Sequence, residues 1–453
     1  MPESLCPIIT VTSLADMAAL ERRLEGRKGA GGADAARTER AVRDILDDVR
    51  SRGLEAVVEY TRRFDCPGFA PDMFRVGEEA VDAAVRAVPE ADRRILRDAV
   101  GRIRRFHAEQ KEKSWFTTEA DGSVLGQMVT PLDRAGLYVP GGKGGETPLI
   151  SSLLMNAVPA LVAGVREIAV ISPPRADGGI NPYILAAARE LGIREIYAAG
   201  SAWGVAALAY GAGDLAPVDI IAGPGNIWVT TAKRLLLGEV GIDMLAGPSE
   251  ICVIADSGAD PAWLAADMLS QAEHDTLASA LCIVPDGTLA EAVAAELEKQ
   301  NALLPRRDVA AASLKDWGAI IVAPDTDGAL SLAADIANRI APEHLELCVP
   351  HPWDILPRIR HAGAVFMGCY AAESAGDYFA GPNHVLPTMG TARFSSALGV
   401  QTFCKRTSIL ALSREFARES APAIARLARL EGLEGHARSM ERRGELLGER
   451  REK

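Results

Sequence analysis

Residues 135–140 (AGLYVP), 167–172 (EIAVIS), 195–200 (EIYAAG) and 218–223 (VDIIAG) are short apolar runs separated by helix-like stretches, 181–192 (NPYILAAARELG) and 201–211 (SAWGVAALAYG). A run that is apolar at nearly every position suits a strand buried on both faces, and strands alternating with helices are the mark of parallel βα units. The chain then repeats the pattern. A second series covers 250–256 (EICVIAD), 279–286 (SALCIVPD), 318–324 (GAIIVAP), 344–350 (HLELCVP) and 363–368 (GAVFMG), with helical patterns over 260–275, 288–300 and 329–340. This predicts an α/β fold of two doubly wound, Rossmann-like modules. No GxGxxG opens a helix in either one, so the usual dinucleotide fingerprint is absent and fold class alone supplies no function.

Upstream, 33–65 and 89–110 are charged and carry apolar residues at i, i+3 and i+4, which predicts an amphipathic helical layer. Downstream of Gly381 a Gly/Pro-rich loop leads into a helical pattern over 413–447. The expected organisation is an N-terminal arm (1–24), a discontinuous first α/β domain (25–130 with 250–395), a second α/β domain (131–249) and a C-terminal helical tail (396–453). The mixed-sign end, 441–453 (ERRGELLGERREK), reads as a solvated helix terminus.

The 453 residues carry 49 Lys+Arg against 61 Asp+Glu, a net charge of 49 − 61 = −12, which argues against the clustered positive charge a nucleic-acid surface needs. At 48% hydrophobic and 24% charged, the composition is that of an ordinary soluble globular protein. Seven cysteines stand singly with no CxxC spacing, three of them (Cys252, Cys282, Cys348) inside apolar runs, so buried reduced thiols are expected. The N-terminus lacks a basic segment followed by an apolar one, and no stretch approaches the roughly 20 apolar residues of a membrane span. The expected address is the cytoplasm.

The seven histidines are informative through their neighbours. In the run SQAEHD, Gln271 and His274 are i, i+3 neighbours near the end of a helix that Asp260 and Pro261 start, so an amide oxygen and an imidazole share one face. Such a pair can form half of a metal site, although a histidine near a helix C-terminus also simply suits the dipole. In APEHLEL, Glu343 and His344 lie between a helix and a strand, where a base that titrates near neutrality and a partly buried carboxyl can work together. The alternative there is a Pro-Glu turn with a satisfied histidine. Asp377 (SAGDY) and His384 (GPNHVLPT) fall in a loop region after a strand, the usual location of α/β sites, with Asp377 a hard oxygen ligand and His384 a ligand, a substrate contact or a loop donor. Glu431 and His436 sit in the helical tail, where surface positions are the rule. Tyr138–Lys143 (YVPGGK), Gly223–Asn226 (GPGN) and Gly247–Glu250 (GPSE) are Gly-rich turns whose amides can cradle an anion.

Taken in order, GLYVPGGK, PVDIIAGPGN, GPSE, MLSQAEHD, APEHLEL, SAGDY, GPNHVLPT and EGLEGH resemble the histidinol dehydrogenase family from about Arg37 to the mid-430s. The resemblance implies a homodimeric enzyme that uses Zn²⁺ and NAD to oxidise L-histidinol through histidinal to L-histidine. It places Gln271, His274, Asp377 and His436 at the zinc and Glu343 and His344 as the catalytic pair. Ser249 and Glu431, with His344 and the four zinc residues, fall at the substrate, and Tyr138 and Asn226 at NAD. It further implies that the tail reaches the partner subunit, so that Glu431 and His436 complete the other chain's site. Two features depart from the family pattern: a longer loop after Lys143, and Trp203 where many members have a Gln that touches NAD. A related zinc and NAD enzyme acting on another amino alcohol or a diol is the nearest alternative. A metal-dependent hydrolase and a non-catalytic binding protein are more distant ones.

Overall fold

The computed structural model describes residues 4–29, 32–326, 328 and 330–448. Residues 1–3 of the expected arm and 449–453 of the expected tail lie outside the described residues. Two compact units emerge, one of residues 1–110 with 133–403 and the other of residues 111–132 with 404–453. In chain order the strands are β1 (Ile8–Thr10), β2 (Trp115–Thr118), β3 (Val124–Pro131), β4 (Arg134–Tyr138), β5 (Glu167–Ser172), β6 (Glu195–Ala198), β7 (Ile220–Ala222), β8 (Gly241–Ile242), β9 (Glu250–Ala255), β10 (Ser279–Val284), β11 (Ala319–Val322), β12 (His344–Cys348), β13 (Ala364–Met367) and β14 (Cys404–Ala411).

The larger unit holds two parallel sheets, ordered β1-β11-β10-β9-β12-β13 and β6-β5-β4-β7-β8. Both have the doubly wound topology expected: the chain starts in the middle (β9, β4), winds outward on one side, then returns to the other (β12, β7). Continuous apolar runs follow from burial on both faces. Along β9, Ile251 and Val253 pack into one core with Leu264, Met268 and Leu269 of the Pro261–Ala272 helix, whereas Cys252 and Ile254 pack into the opposite core with Ala333, Ile336 and Ala337 of the Ser331–Ile340 helix.

Three expectations change. The arm is not separate: β1 adds in parallel to the edge of the first sheet, Ile8 opposite Ile320. Three residues are too few to show a period. The segment before β4 is not wholly helical: β2 and β3 pair antiparallel with β14 in the smaller unit, so 111–132 groups with the C-terminal residues rather than with 250–395. Neither WFTT nor VLGQMVTP alternates apolar with polar residues, so these strands carry no period-2 signal. The helical tail is two helices, Arg414–Leu430 and Glu434–Gly448, parted at Gly432, whose φ of 76° is left-handed.

The cysteines also differ from expectation. Cys348 closes β12 and Cys369 lies two residues past the end of β13, its parallel neighbour, and the two are joined as a disulfide with Cα atoms 4.3 Å apart. Cys6, Cys66, Cys252 and Cys282 are buried free thiols as expected, and Cys404 is a half-buried one.

Candidate active site

The Ser331–Ile340 helix ends at Ala341 in the left-handed region (φ 54°), and Pro342 stops it from continuing, so the chain turns at once into β12. That turn buries Glu343 and His344 at the amino end of β12. Both are held by one neighbour across the sheet. Glu343 Oε2 accepts the Glu250 N–H at 2.9 Å, and His344 Nδ1 lies 2.9 Å from the Glu250 carbonyl oxygen. A carbonyl can only accept, so Nδ1 carries the proton and Nε2 the lone pair. Nε2 is buried without a hydrogen-bond partner and lies 3.8 Å from Asp377 Oδ1. Gly363 completes the frame, because a Cβ there would stand 2.5 Å from the Glu343 carbonyl oxygen.

The facing wall comes from two helices. Asp260 caps the Pro261–Ala272 helix through the Ala262 N–H (2.8 Å), which sets the phase that buries Gln271 completely and leaves His274 exposed just past the end. The short Glu373–Tyr378 helix carries Glu373 and Asp377 one turn apart. It lies flat on β13 because Gly376 has no Cβ to strike the Phe366 ring, which would be 2.7 Å away. Ligand atoms of His274, Glu373 and Asp377 all lie within 4.8 Å of one another, a spacing a single cation can bridge. Hydrogen bonding orients the Gln271 amide with its nitrogen donating to Glu373 Oε1 at 2.8 Å, which turns its oxygen away from that acceptor.

Burial dominates the electrostatics. It pushes the Glu343 and Glu373 carboxyls well above the usual range and raises Asp377 to about 6. It also pushes the His344 imidazole down to about 3, although Glu343, Glu373 and Asp377 all lie within 3.8 Å of its nitrogens. Glu343 and Glu373, driven neutral themselves, do not hold a proton on the base, and burial outweighs the pull of Asp377. A bound cation would reverse the balance for the acids. His384 is half-buried and likewise held neutral by burial, down to about 4, and its Nε2 has no hydrogen-bond partner.

Several residues that support the site are not among the candidates read from the sequence. Arg27, buried in the Ala18–Gly29 helix, pairs with Glu250 (Nη1 to Oε1, 2.7 Å) and donates to the carbonyl oxygens of Pro248, Ser249 and Leu277, fixing the GPSE turn that carries Ser249. Thr388 of the GPNHVLPT loop accepts the Gly247 N–H at 2.6 Å. Glu346, two residues along β12 from His344, accepts the Glu373 N–H at 2.7 Å and pairs with Asp267. Glu346 and Thr388 lie inside the APEHLEL and GPNHVLPT runs and Glu373 directly precedes SAGDY, but Arg27 stands in no quoted motif.

In the second sheet the direction of winding reverses between β4 and β7, and their following loops are the YVPGGK and GPGN turns. Tyr138 is buried and its hydroxyl accepts the Ser201 N–H at 3.0 Å. Asn226 caps the Ile227–Leu235 helix, its oxygen taking the Trp228 and Val229 N–H groups. Buried Lys233 and Asp243, 2.5 Å apart, clamp the turn: Lys233 donates to the Gly223 carbonyl oxygen (2.9 Å) and Asp243 accepts the Gly223 N–H (2.8 Å). Trp203 points inward, stacking on Tyr60 and Phe64 and donating to Thr61 Oγ1 at 3.1 Å. Glu431 and His436 belong to the smaller unit, Glu431 ending one helix and His436 in the next, both exposed.

Two Rossmann-type sheets, a buried imidazole beside a carboxyl, and three ligand-bearing side chains within 4.8 Å of one another mark an α/β fold with a candidate active site. Comparison with known proteins specifies it. The family model for histidinol dehydrogenase matches residues 30–444, and the chain belongs to that family of oxidoreductases. It is 61% identical over 434 residues to the histidinol dehydrogenase of Nitratidesulfovibrio vulgaris, covering 96% of this chain and 98% of that one. The enzyme of the same name from Oleidesulfovibrio alaskensis is 60% identical over 438 residues, covering 97% and 99%. The crystal structure of histidinol dehydrogenase from Elizabethkingia anophelis superposes with a TM-score of 0.89 at 30% identity, covering 99% of this chain and 100% of that one.

Proposed function

We propose that the chain oxidises L-histidinol through L-histidinal to L-histidine with two NAD⁺ taken in turn, in the cytoplasm, as a homodimer that holds one Zn²⁺ per subunit. The observation that carries this reading is the buried lone pair of His344 Nε2, beside Glu343 and 3.8 Å from Asp377. Gln271, His274 and Asp377 would hold the zinc, with His436 of the second copy, and Glu373 would orient Gln271. The donor chemistry fits: imidazole nitrogen, carboxylate and an amide oxygen. When bound, zinc fixes the amino alcohol and NAD accepts hydride.

The chain's own residues do the rest. His344 Nε2 takes the hydroxyl proton as hydride leaves the carbinol carbon, with Nδ1–H anchored on Glu250. Glu343 then takes a proton from the water that adds to the aldehyde, so that the second hydride can leave. Ser249 and the second copy's Glu431 orient the substrate, whose positive charge suits the acidic centre. Tyr138 and Asn226 lie on the loops that would receive NAD. No helix among the described residues is long and apolar enough to cross a membrane.

The test is NADH formation with L-histidinol before and after chelation. Two NADH per histidinol, lost on chelation and restored by Zn²⁺, is the expected result. Turnover of another alcohol but not of histidinol would overturn the assignment.

A further inference from the structure

The Cys348–Cys369 pair lies outside the acid–base set yet borders it. Cys348 is four residues along β12 from His344, and Cys369 is four residues before Glu373. Between them the chain leaves β13 through Gly368, whose φ of 89° is left-handed and whose N–H donates to the Leu347 carbonyl oxygen at 3.0 Å. It then passes Tyr370 and Ala371 into the helix that carries Glu373 and Asp377. In that 369–372 segment the Ala371 N–H donates to the Gly368 carbonyl oxygen at 3.0 Å. Tyr370 is 94% exposed, and it touches Trp263 of the Pro261–Ala272 helix at 5.7 Å between ring centroids. A bond between Cys348 and Cys369 therefore fastens the approach to the ligand-bearing helix onto the strand that carries the base.

The remaining cysteines argue against a disulfide framework. The other five are free thiols, and a chain at work in a reducing compartment has a lone disulfide chiefly as a transient or sensing bond. We propose that Cys348 and Cys369 form a reversible thiol–disulfide modification site that locks residues 369–378, and with them Glu373 and Asp377, onto β12. The co-reactant is a low-molecular-weight disulfide. Cys369, the half-buried member, attacks one of its sulfurs as thiolate, forming a mixed disulfide and expelling one small thiolate, which takes up the proton Cys369 lost. Cys348, which is 3% exposed, then attacks the Cys369 sulfur and releases the second small thiol, with its own proton going to that leaving group. Two electrons pass from the two protein thiols to the small disulfide. Small thiols in excess reverse both steps.

In the locked form the helix samples fewer positions, so its backbone exchanges hydrogen more slowly and a cation held there escapes more slowly. The second consequence rests on the metal reading above; the first does not. The experiment takes the full chain prepared under reductant and exposes it to oxidised glutathione. Alkylation with mass mapping should show two thiols lost, at Cys348 and Cys369 and at no other cysteine. Amide exchange over 369–378 should slow by at least about threefold, and Zn²⁺ release to a chelator by roughly three- to tenfold, both reversed by reduced glutathione. Cys369→Ser and Cys348→Ser should match the reduced chain and ignore the oxidant. If either fails to fold, the same comparison is made on the native chain with both thiols alkylated after reduction. Slowed exchange in a chain that binds no zinc in either state supports the lock and counts against the metal reading instead. Failure of the pair to form, or a pair that forms with exchange over 369–378 unchanged, overturns the proposal.

Discussion

Replacing Glu343 by Gln separates the two oxidations. The change is nearly isosteric, and the amide oxygen can still accept the Glu250 N–H that Glu343 Oε2 takes at 2.9 Å, so the turn at the start of β12 stays in place. His344 is anchored on a different atom, the Glu250 carbonyl oxygen, and keeps its lone pair. What disappears is a carboxylate that can accept a proton. If Glu343 activates the water that adds to the aldehyde, Glu343→Gln removes one general base, a loss of about 10²–10⁴ in rate or roughly 3–5 kcal/mol of barrier, from the second step alone. Burial raises the Glu343 pKa, so the aldehyde step in the native chain should speed up as pH rises through that group's ionisation, and the variant should lose this limb. The assay compares single-turnover NADH formation from L-histidinol, where the first hydride is read, with that from L-histidinal supplied directly. Equal slowing of both substrates would refute a role confined to water activation.

Three further perturbations test the surrounding architecture. Arg27→Met should destabilise the fold by about 3–5 kcal/mol in urea unfolding, because it leaves Glu250 buried without its cation, and a loss under about 1 kcal/mol would show that the ion pair is dispensable. Lys233→Met strands buried Asp243 in the same way and frees the Gly223 carbonyl oxygen, so a similar stability loss should accompany a raised KM for NAD. An unchanged KM would separate this clamp from nucleotide binding. The third concerns pH. Burial, with the neighbouring Asp267, raises the Glu346 pKa from 4.5 to about 9, so the folded chain keeps a proton that the unfolded chain has lost, and stability must fall as pH rises through that window. His344 and His384 are depressed, so their contribution grows with pH only up to about 6.5, the ordinary histidine value, and does not oppose the fall above pH 7. Glu346 should therefore contribute a loss of up to about 1.4 kcal/mol per pH unit between roughly pH 7 and 9, in addition to what the raised Glu343 and Glu373 contribute, and Glu346→Gln should make the slope shallower by that amount. A urea midpoint that rises over that range would contradict the assignment.

Much of the fold was legible because parallel strands buried on both faces cannot avoid being apolar throughout: β4 to β7 and β9 to β13 were all visible as runs. What was hidden is what short length or exposure hides. β1 has three residues and β14 is mostly exposed, and both are fixed by partners far along the chain, β1 by β11 and β14 by β3. The same distinction divides the site. Glu343, His344, Gln271, His274 and Asp377 fall in compact motifs whose local chemistry is readable. Arg27 and Glu250 are 223 residues apart, and Gly247 and Thr388 are 141 apart, so no local pattern could join them.

The candidate residues stand at both edges of the two sheets. Ligand sites in open α/β sheets usually lie beyond the carboxyl ends of the strands, and the YVPGGK and GPGN turns do follow β4 and β7 in this manner. Glu343 and His344 instead stand at the amino end of β12, as Ser249 and Glu250 do at that of β9. The link between the two edges is residues 243–249, which run from β8 to β9. At one end Asp243 grips the Gly223 N–H of the GPGN turn; at the other, the Glu250 N–H and carbonyl hold Glu343 and His344. The segment is itself fastened midway, by Thr388 at Gly247 and by Arg27 at Pro248 and Ser249. If Glu343 and His344 serve a nucleotide bound at the GPGN turn, this short connection, held at its two ends by the buried Lys233–Asp243 and Arg27–Glu250 ion pairs, fixes the distance between them.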